Sequence, residues 1–240
     1  MHTKTALITG ASRGIGKALA EAFAAAGYDL YLTCIHSKEL LHSLCRRLSE
    51  QYQIRCIPFV GDMGDYETVK QLFSGISHLD VVINNAGISH IGLLSDMTPA
   101  QWHHVMATNL DAVFYTSKLA IPLMLQKKSG RIINISSIWG NAGASMETAY
   151  SASKGAVNSF TRALAKELAP SGICVNAIAC GVIDTDMNRC FDEEEMQMII
   201  DEIPADRLGR PEEVADFALQ LADAPSYLTG QIITMDGGWI

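Results

Sequence analysis

Tyr150 and Lys154 stand four residues apart in the stretch from Asn134 to Asn158, NISSIWGNAGASMETAYSASKGAVN, where a serine-rich strand end leads into a helical pattern. Residues four apart on a helix share a face, so the phenol and the ammonium can enter one cleft. Free tyrosine, with a pKa near ~10, transfers protons poorly at neutral pH, and a neighbouring cation moves it toward the working range. That chemistry suits reversible proton transfer to a carbonyl oxygen. By spacing alone, the pair equally describes an ordinary exposed helical turn.

A second group of residues suits phosphate. TGASRGIG, Thr9 to Gly16, separates a short apolar run from an alanine-rich amphipathic pattern. In a strand-turn-helix unit a dinucleotide pyrophosphate lies on the helix N-terminus, and glycines allow the tight turn and close approach it needs. The spacing is Gly10-x-x-x-Gly14-x-Gly16, and Ser12, Arg13 and Ile15 complete the turn. An NAD site usually ends its second strand with an acid that holds the ribose hydroxyls. Here Cys34, Ile35, His36, Ser37 and Lys38 follow the strand and Asp29 lies at its other end. With no acid to repel a 2′-phosphate, and with Arg13, His36, Ser37 or Lys38 to receive it, NADP(H) is the expected cofactor.

The elements that must position these groups alternate regularly. Strands are expected at 5–9, 30–33, 54–60, 80–83, 131–135, 174–178 and 232–234, with helices at 15–26, 38–51, 66–75, 99–126, 148–168 and 211–222. Strands apolar on both faces and separated by helices need crossovers. The fold class is therefore α/β, a Rossmann-like doubly wound parallel sheet of about seven strands with helices on both faces. Neither a linker nor a repeat interrupts it, so residues 1–240 are expected to form a single domain. The segment 184–210, with its acidic run Asp192 to Glu195, breaks the rhythm after a strand's carboxyl end. It reads either as a solvated excursion or as a substrate lid.

Composition narrows the classes. The 240 residues are 48% hydrophobic and 18% charged, which suits a folded domain with a substantial core. A formal net charge of −8 argues against binding a nucleic-acid backbone. Six cysteines, Cys34, Cys45, Cys56, Cys174, Cys180 and Cys190, show no C-x-x-C pair or ligand-like clustering. They read as core thiols, and no metal site is expected. The chain opens directly on a strand-like stretch and has no apolar run of membrane-spanning length, so a soluble cytoplasmic protein is expected.

Taken together, TGASRGIG at 9–16, Asp62 after the third strand, NNAG at 84–87, Asn109 in ATNL, the serine pair ending at Ser137, Tyr150-x-x-x-Lys154 and VNAIACG at 175–181 resemble the short-chain dehydrogenase/reductase family over essentially the whole chain. The resemblance implies that Tyr150 gives its proton to a carbonyl oxygen as hydride arrives from a nicotinamide. Lys154 would lower the phenol pKa and hold the nicotinamide ribose. Ser137, preferred to Ser136 by strand alternation and its distance from Tyr150, would hydrogen-bond the substrate oxygen. Asn109, in the long helix, would hold a water relaying protons to Lys154. Asp62 and the Met63 backbone would meet the adenine, and Asn84 would steady the central strand. Asn85, Ala86 and Gly87 would let the backbone run close to the cofactor, and Ile183 and Thr185 would contact the carboxamide. Cys180 departs from the family, which usually has proline there, and a looser turn beside the nicotinamide is expected.

Within the family, SGR at 129–131, GVIDTDM at 181–187, PADRLGRPEEVA at 204–215 and TGQIITMDGG at 229–238 are most similar to 3-oxoacyl-[acyl-carrier-protein] reductases. These segments are shared with reductases of sugars, polyols and other ketones. An acidic carrier-protein partner needs a basic patch near the mouth, to which Lys127, Lys128 and Arg131 are expected to contribute. Pro170-Ser171 stands where such reductases tend to be basic. The resemblance also implies a homotetramer, with apolar surface on 99–126, on the helix after Tyr150 and at Trp239-Ile240 to be covered.

Overall fold

The computed structural model describes residues 3–188 and 191–240, so Cys190 lies outside the described residues. Elements alternate along the chain as β1 (Thr5–Ile8), α1 (Gly14–Ala25), β2 (Asp29–Cys34), α2 (Lys38–Tyr52), β3 (Cys56–Val60), α3 (Tyr66–Ser74) and β4 (Val81–Asn84). They continue as α4 (Pro99–Met106), α5 (Ala112–Lys127), β5 (Gly130–Ser137), α6 (Trp139–Ala142), α7 (Thr148–Leu168), β6 (Ile173–Cys180), α8 (Glu193–Glu202), α9 (Pro211–Asp223) and β7 (Ile232–Met235). The strands form one seven-stranded sheet in the order β3-β2-β1-β4-β5-β6-β7, and all six neighbouring pairs are parallel. Strand order reverses between β1 and β4, which opens a crevice at their carboxyl ends.

Side-chain alternation divides the core between the two faces. In β1, Ala6 and Ile8 join Phe23, Leu41 and Val214 from α1, α2 and α9, whereas Leu7 joins Leu72, Met124 and Leu164 from α3, α5 and α7. Burying each such large aliphatic side chain contributes roughly 1.5–3 kcal/mol, so the two clusters hold the helices on the sheet. A polar chain also crosses the second face. Thr116 donates to Asn84 (2.6 Å), Asn84 to Asn134 (2.8 Å) and Asn134 to Thr161 (2.8 Å), all buried. This links α5, β4, β5 and α7 by directional bonds where the site is built.

Four features depart from the sequence expectations. The helix expected at 99–126 is interrupted by a π-helical turn at Ala107–Asp111, so Asn109 lies in a local widening and not in a continuous helix. Ile54 and Arg55 fall outside β3, because Gln53 ends α2 in the left-handed conformation and the chain must recover before pairing. β5 and β6 run two residues beyond their expected ends, to Ser137 and Cys180, which pair with each other. α8 forms within 184–210, where Asp192 and Glu195 make a reciprocal capping box and three acids occupy its first turn. No helix among the described residues is long and apolar enough to cross a membrane.

Candidate active site

A cavity of about 610 Å³ opens at the carboxyl ends of β1, β4, β5 and β6. Gly10, Ser12, Arg13, Gly14, Ile15, Gly16, His36, Ser37, Asp62, Met63, Asn85, Ala86, Gly87, Ser137, Tyr150, Lys154, Ile183 and Thr185 all line it. Of the site residues expected from the sequence, Asn109 is behind the wall rather than on it.

The glycine turn is fastened to the β4 end. Thr9 Oγ1 accepts from the backbone N–H groups of Asn85 and Ala86 (both 3.0 Å), and the Asn85 amide donates to the Thr9 and Gly10 carbonyls (2.9 and 3.1 Å). Asn85 thus has a tie of its own beyond keeping the backbone close. Gly10 adopts φ +66, and a Cβ on Gly16 would lie 2.1 Å from the Gly10 carbonyl oxygen. The turn therefore presents bare backbone at the N-terminus of α1, a cradle suited to a pyrophosphate. Arg13 is exposed, 4.0 Å from Asp186, and His36 and Ser37 follow β2 with no acid between them. Lys38 is exposed and does not line the cavity. Thr185 lies beside Gly14, Ile183 pairs with Gly209, and Asp62 accepts from the Gly64 N–H at 2.8 Å.

Strand alternation separates the two serines. The Ser136 hydroxyl donates to Asn158 Oδ1 at 2.6 Å, on the side of α7. The Ser137 hydroxyl lies beside the Tyr150 phenol and accepts from the Trp139 N–H at 3.2 Å. Lys154 is buried, donates from Nζ to the Ile135 carbonyl at 2.8 Å, and lies 5.6 Å from the Tyr150 ring centre. Burial pulls the Lys154 ammonium down to about 8, with the nearby Cys180 opposing. Contrary to the sequence expectation, the phenol is not drawn down: burial pushes it above its ordinary value, Ser137 opposes this, and the Glu147 carboxylate adds to it.

Asn109 is tied on three sides. Its Oδ1 accepts from the Ile88 N–H (2.8 Å), and its amide donates to the Ile88 carbonyl (2.9 Å) and to Ser153 (3.0 Å). Both side-chain donors are engaged by protein, and the side chain joins the β4 loop to α7.

At Cys180 the carbonyl accepts from the Ile138 N–H (2.9 Å) and Gly181 donates to Met235 (2.8 Å), so both neighbouring segments hold the turn. The Cys180 thiol is buried in the cavity wall and pushed up to about 12 by burial. One further expectation is corrected: Lys127, Lys128 and Arg131 lie at the opposite end of the sheet from the cavity. Lys127 pairs with Asp80, which precedes β4, and Arg131 opens β5 and donates to the Ala224 carbonyl.

Sequence reasoning missed Ser89 and Glu147, which line the cavity side by side and share a hydrogen bond. The N-cap residue of α7 is Glu147, yet its carboxylate makes no capping bond. It missed Trp239 as part of the wall as well: the ring meets Trp139 edge-on with centres 5.2 Å apart, so the chain itself covers part of its C-terminus. Only the tertiary fold brings these pairs together.

Comparison with known proteins agrees with this geometry. Residues 4–196 match the short chain dehydrogenase family. The oxidoreductase YmfI of Bacillus subtilis is 42% identical over 98% of both chains. The 3-oxoacyl-[acyl-carrier-protein] reductase FabG of Thermotoga maritima is 39% identical over 100% of this chain and 99% of its own. A crystal structure assigned as an NAD(P)-dependent gluconate 5-dehydrogenase of Beutenbergia cavernae, with bound NADP, superposes with a TM-score of 0.92 at 34% identity, covering 98% of this chain and 96% of that one. A dinucleotide cradle and a tyrosine-lysine pair in one crevice, matched to relatives along the whole chain, lead to one conclusion: the protein belongs to the short-chain dehydrogenase family and is an oxidoreductase.

Proposed function

We propose that the protein reduces a ketone to a secondary alcohol with NADPH, and that its substrates are 3-oxoacyl thioesters carried on acyl carrier protein. The observation that carries the reaction type is the Ser137–Tyr150–Lys154 group, gathered on one wall of the cavity with the Lys154 ammonium 5.6 Å from the Tyr150 ring centre. The substrate class is supported by the full-length similarity to 3-oxoacyl-[acyl-carrier-protein] reductases. NADPH over NADH is supported by the acid-free turn after β2 and by Arg13 at its side.

Bound NADPH supplies the hydride. The residues supply everything else. Tyr150 remains protonated at neutral pH, because its phenol is raised by burial, and it gives its proton to the substrate oxygen. Ser137, beside the same phenol, donates a hydrogen bond to that oxygen and stabilises the charge developing on it. Lys154, charged below about pH 8, offsets the negative charge left on Tyr150 and holds the nicotinamide ribose. Asn109 acts at the π-turn as a positioning residue, its side chain tying the loop after β4 to α7; the relay water expected there has to be held by other groups. The segment 184–210 serves as the substrate lid, with Phe191 and Ile199 facing the cavity.

The test is NADPH oxidation with acetoacetyl thioesters, carrier-bound 3-oxoacyl chains, sugar ketones and simple ketones, repeated with NADH. Carrier-bound 3-oxoacyl chains with NADPH should have the highest kcat/KM. Tyr150→Phe should lower turnover by at least about 10²-fold, the usual weight of a positioned acid, while still binding NADPH. Equal turnover by this variant would overturn the mechanism, and preference for a sugar ketone would overturn the substrate class.

A further inference from the structure

We infer that Trp139 and Trp239 form an apolar clamp that receives an unbranched hydrocarbon arm on the substrate ketone and sets the chain length preferred. This rests on the cavity being the site of carbonyl reduction.

Each indole is fixed by its own surroundings. Trp139 follows Ser137 by two residues and donates its backbone N–H to the Ser137 hydroxyl. At the next position a Cβ on Gly140 would lie 2.7 Å from the Lys154 carbonyl carbon and 2.9 Å from the Asn158 amide, so this turn is pressed against α7 and cannot retreat. Trp239 arrives from the other end of the chain. The two carboxylate oxygens of Asp236 accept from the Gly238 and Ile240 N–H groups, both at 3.0 Å, and Gly237 and Gly238 turn the chain with φ of +71 and +87. The rings meet edge-to-face at 66°, both half-buried and both facing the cavity. That arrangement favours aromatic contact while leaving ring surface open.

The wall continues with Met187, Phe191 and Ile199 from the segment after β6. Thr185 and Asp186 stand at the start of this segment, on the side of Gly14 and Arg13, while Asn188, next to Met187, commits its amide to the Ile183 carbonyl at 2.6 Å. A polyol laid against this wall loses water and gains few hydrogen bonds, whereas a hydrocarbon arm loses nothing polar. The polar Ser89–Glu147 pair, which also lines the cavity, is occupied by its own hydrogen bond.

Burying one methylene on this wall should raise kcat/KM about two- to fourfold. The experiment compares 3-oxoacyl N-acetylcysteamine thioesters of four to ten carbons and a matching series of alkan-2-ones, with NADPH, in the wild type, Trp239→Ala, Trp239→Phe and Trp139→Ala. We expect kcat/KM to climb with chain length, the loss in either alanine variant to grow with chain length, and Trp239→Phe to recover most of the slope. A loss equal at every length, or a wild type indifferent to length in both series, overturns the clamp. Should only the alkan-2-ones be reduced and show the Trp239-dependent slope, the clamp stands and the thioester reading falls. Binding supplies a readout without turnover. In a Trp102→Phe background the remaining tryptophans are this pair, and indole emission of the NADP⁺-loaded protein should respond more strongly to 3-hydroxydecanoyl than to 3-hydroxybutanoyl N-acetylcysteamine. Equal or absent responses overturn the clamp as well.

Discussion

Burial disfavours the charged form of both Tyr150 and Lys154, but the pH consequences fall in different windows. The folded Lys154 value of about 8 is below its ordinary 10.5, so between these values the unfolded chain holds more protons than the folded one. Stability contributed through this side chain therefore rises with pH across that window, and the cost of burying its charge is fully present below it. Tyr150 is shifted upward from 10.0, so its effect appears only above about pH 10, where the unfolded chain ionises first and stability falls. Cofactor-free wild type should thus gain in guanidinium midpoint relative to Lys154→Met between about pH 7.5 and about pH 9.5. Parallel midpoints for the two proteins would show that Lys154 does not titrate in this window. The nearby Glu147 carboxylate also raises Tyr150, a coupling with no signature in the local motif.

At the scale of elements, what the sequence revealed was what adjacent residues decide. Tyr150 and Lys154 share a face because they lie on one helix, and Ser137 is distinguished from Ser136 because they lie on one strand. The glycine turn follows the same rule, since a tight β1–α1 junction needs bare backbone within a few residues. Features decided by neighbours distant in the chain were not legible: the π-turn at 107–111 answers to Ile88 and Ser153, and the ends of β5 and β6 are set by their pairing with each other. α8 is an intermediate case. Its Asp192–Glu195 capping box was present in the sequence, but the same acids also describe a solvated excursion. Gly16→Ala separates local propensity from packing. Alanine would favour the helix by up to about 1 kcal/mol, yet its Cβ would meet the Gly10 carbonyl oxygen at 2.1 Å and the Asn85 amide at 2.6 Å. Since neither obstacle is a flexible side-chain end free to swing away, the clash should dominate. Calorimetry is expected to show NADPH binding weakened at least about tenfold, and a variant that binds normally would mean that the turn is not the cradle.

For the whole molecule, one assembly would both cover exposed apolar surface and let an acidic protein meet the acidic carrier proposed above. Leu93, Leu94, Phe114 and Leu125 are exposed around α4 and α5, and a chain of net charge −8 gains little from exposing them. A two-fold contact through α5 would cover Phe114 and Leu125 and set the two copies of the helix antiparallel. The N-terminal end of α5 lies beside the π-turn near the cleft, whereas its C-terminal end carries Lys127 and Lys128. Antiparallel pairing would therefore carry one chain's lysines, remote from its own cavity, toward its partner's mouth. This would add basic surface there. The homotetramer that the family resemblance implies needs a second contact besides this one, and light scattering should then give a mass four times the 26.0 kDa of one chain. Phe114→Asp should reduce that mass and lower the rate with carrier-bound substrate more than with the free thioester, because only the carrier needs the partner's charge. A concentration-independent mass of one chain in the wild type would rule out this assembly, and equal losses on both substrates would separate oligomerisation from carrier recognition.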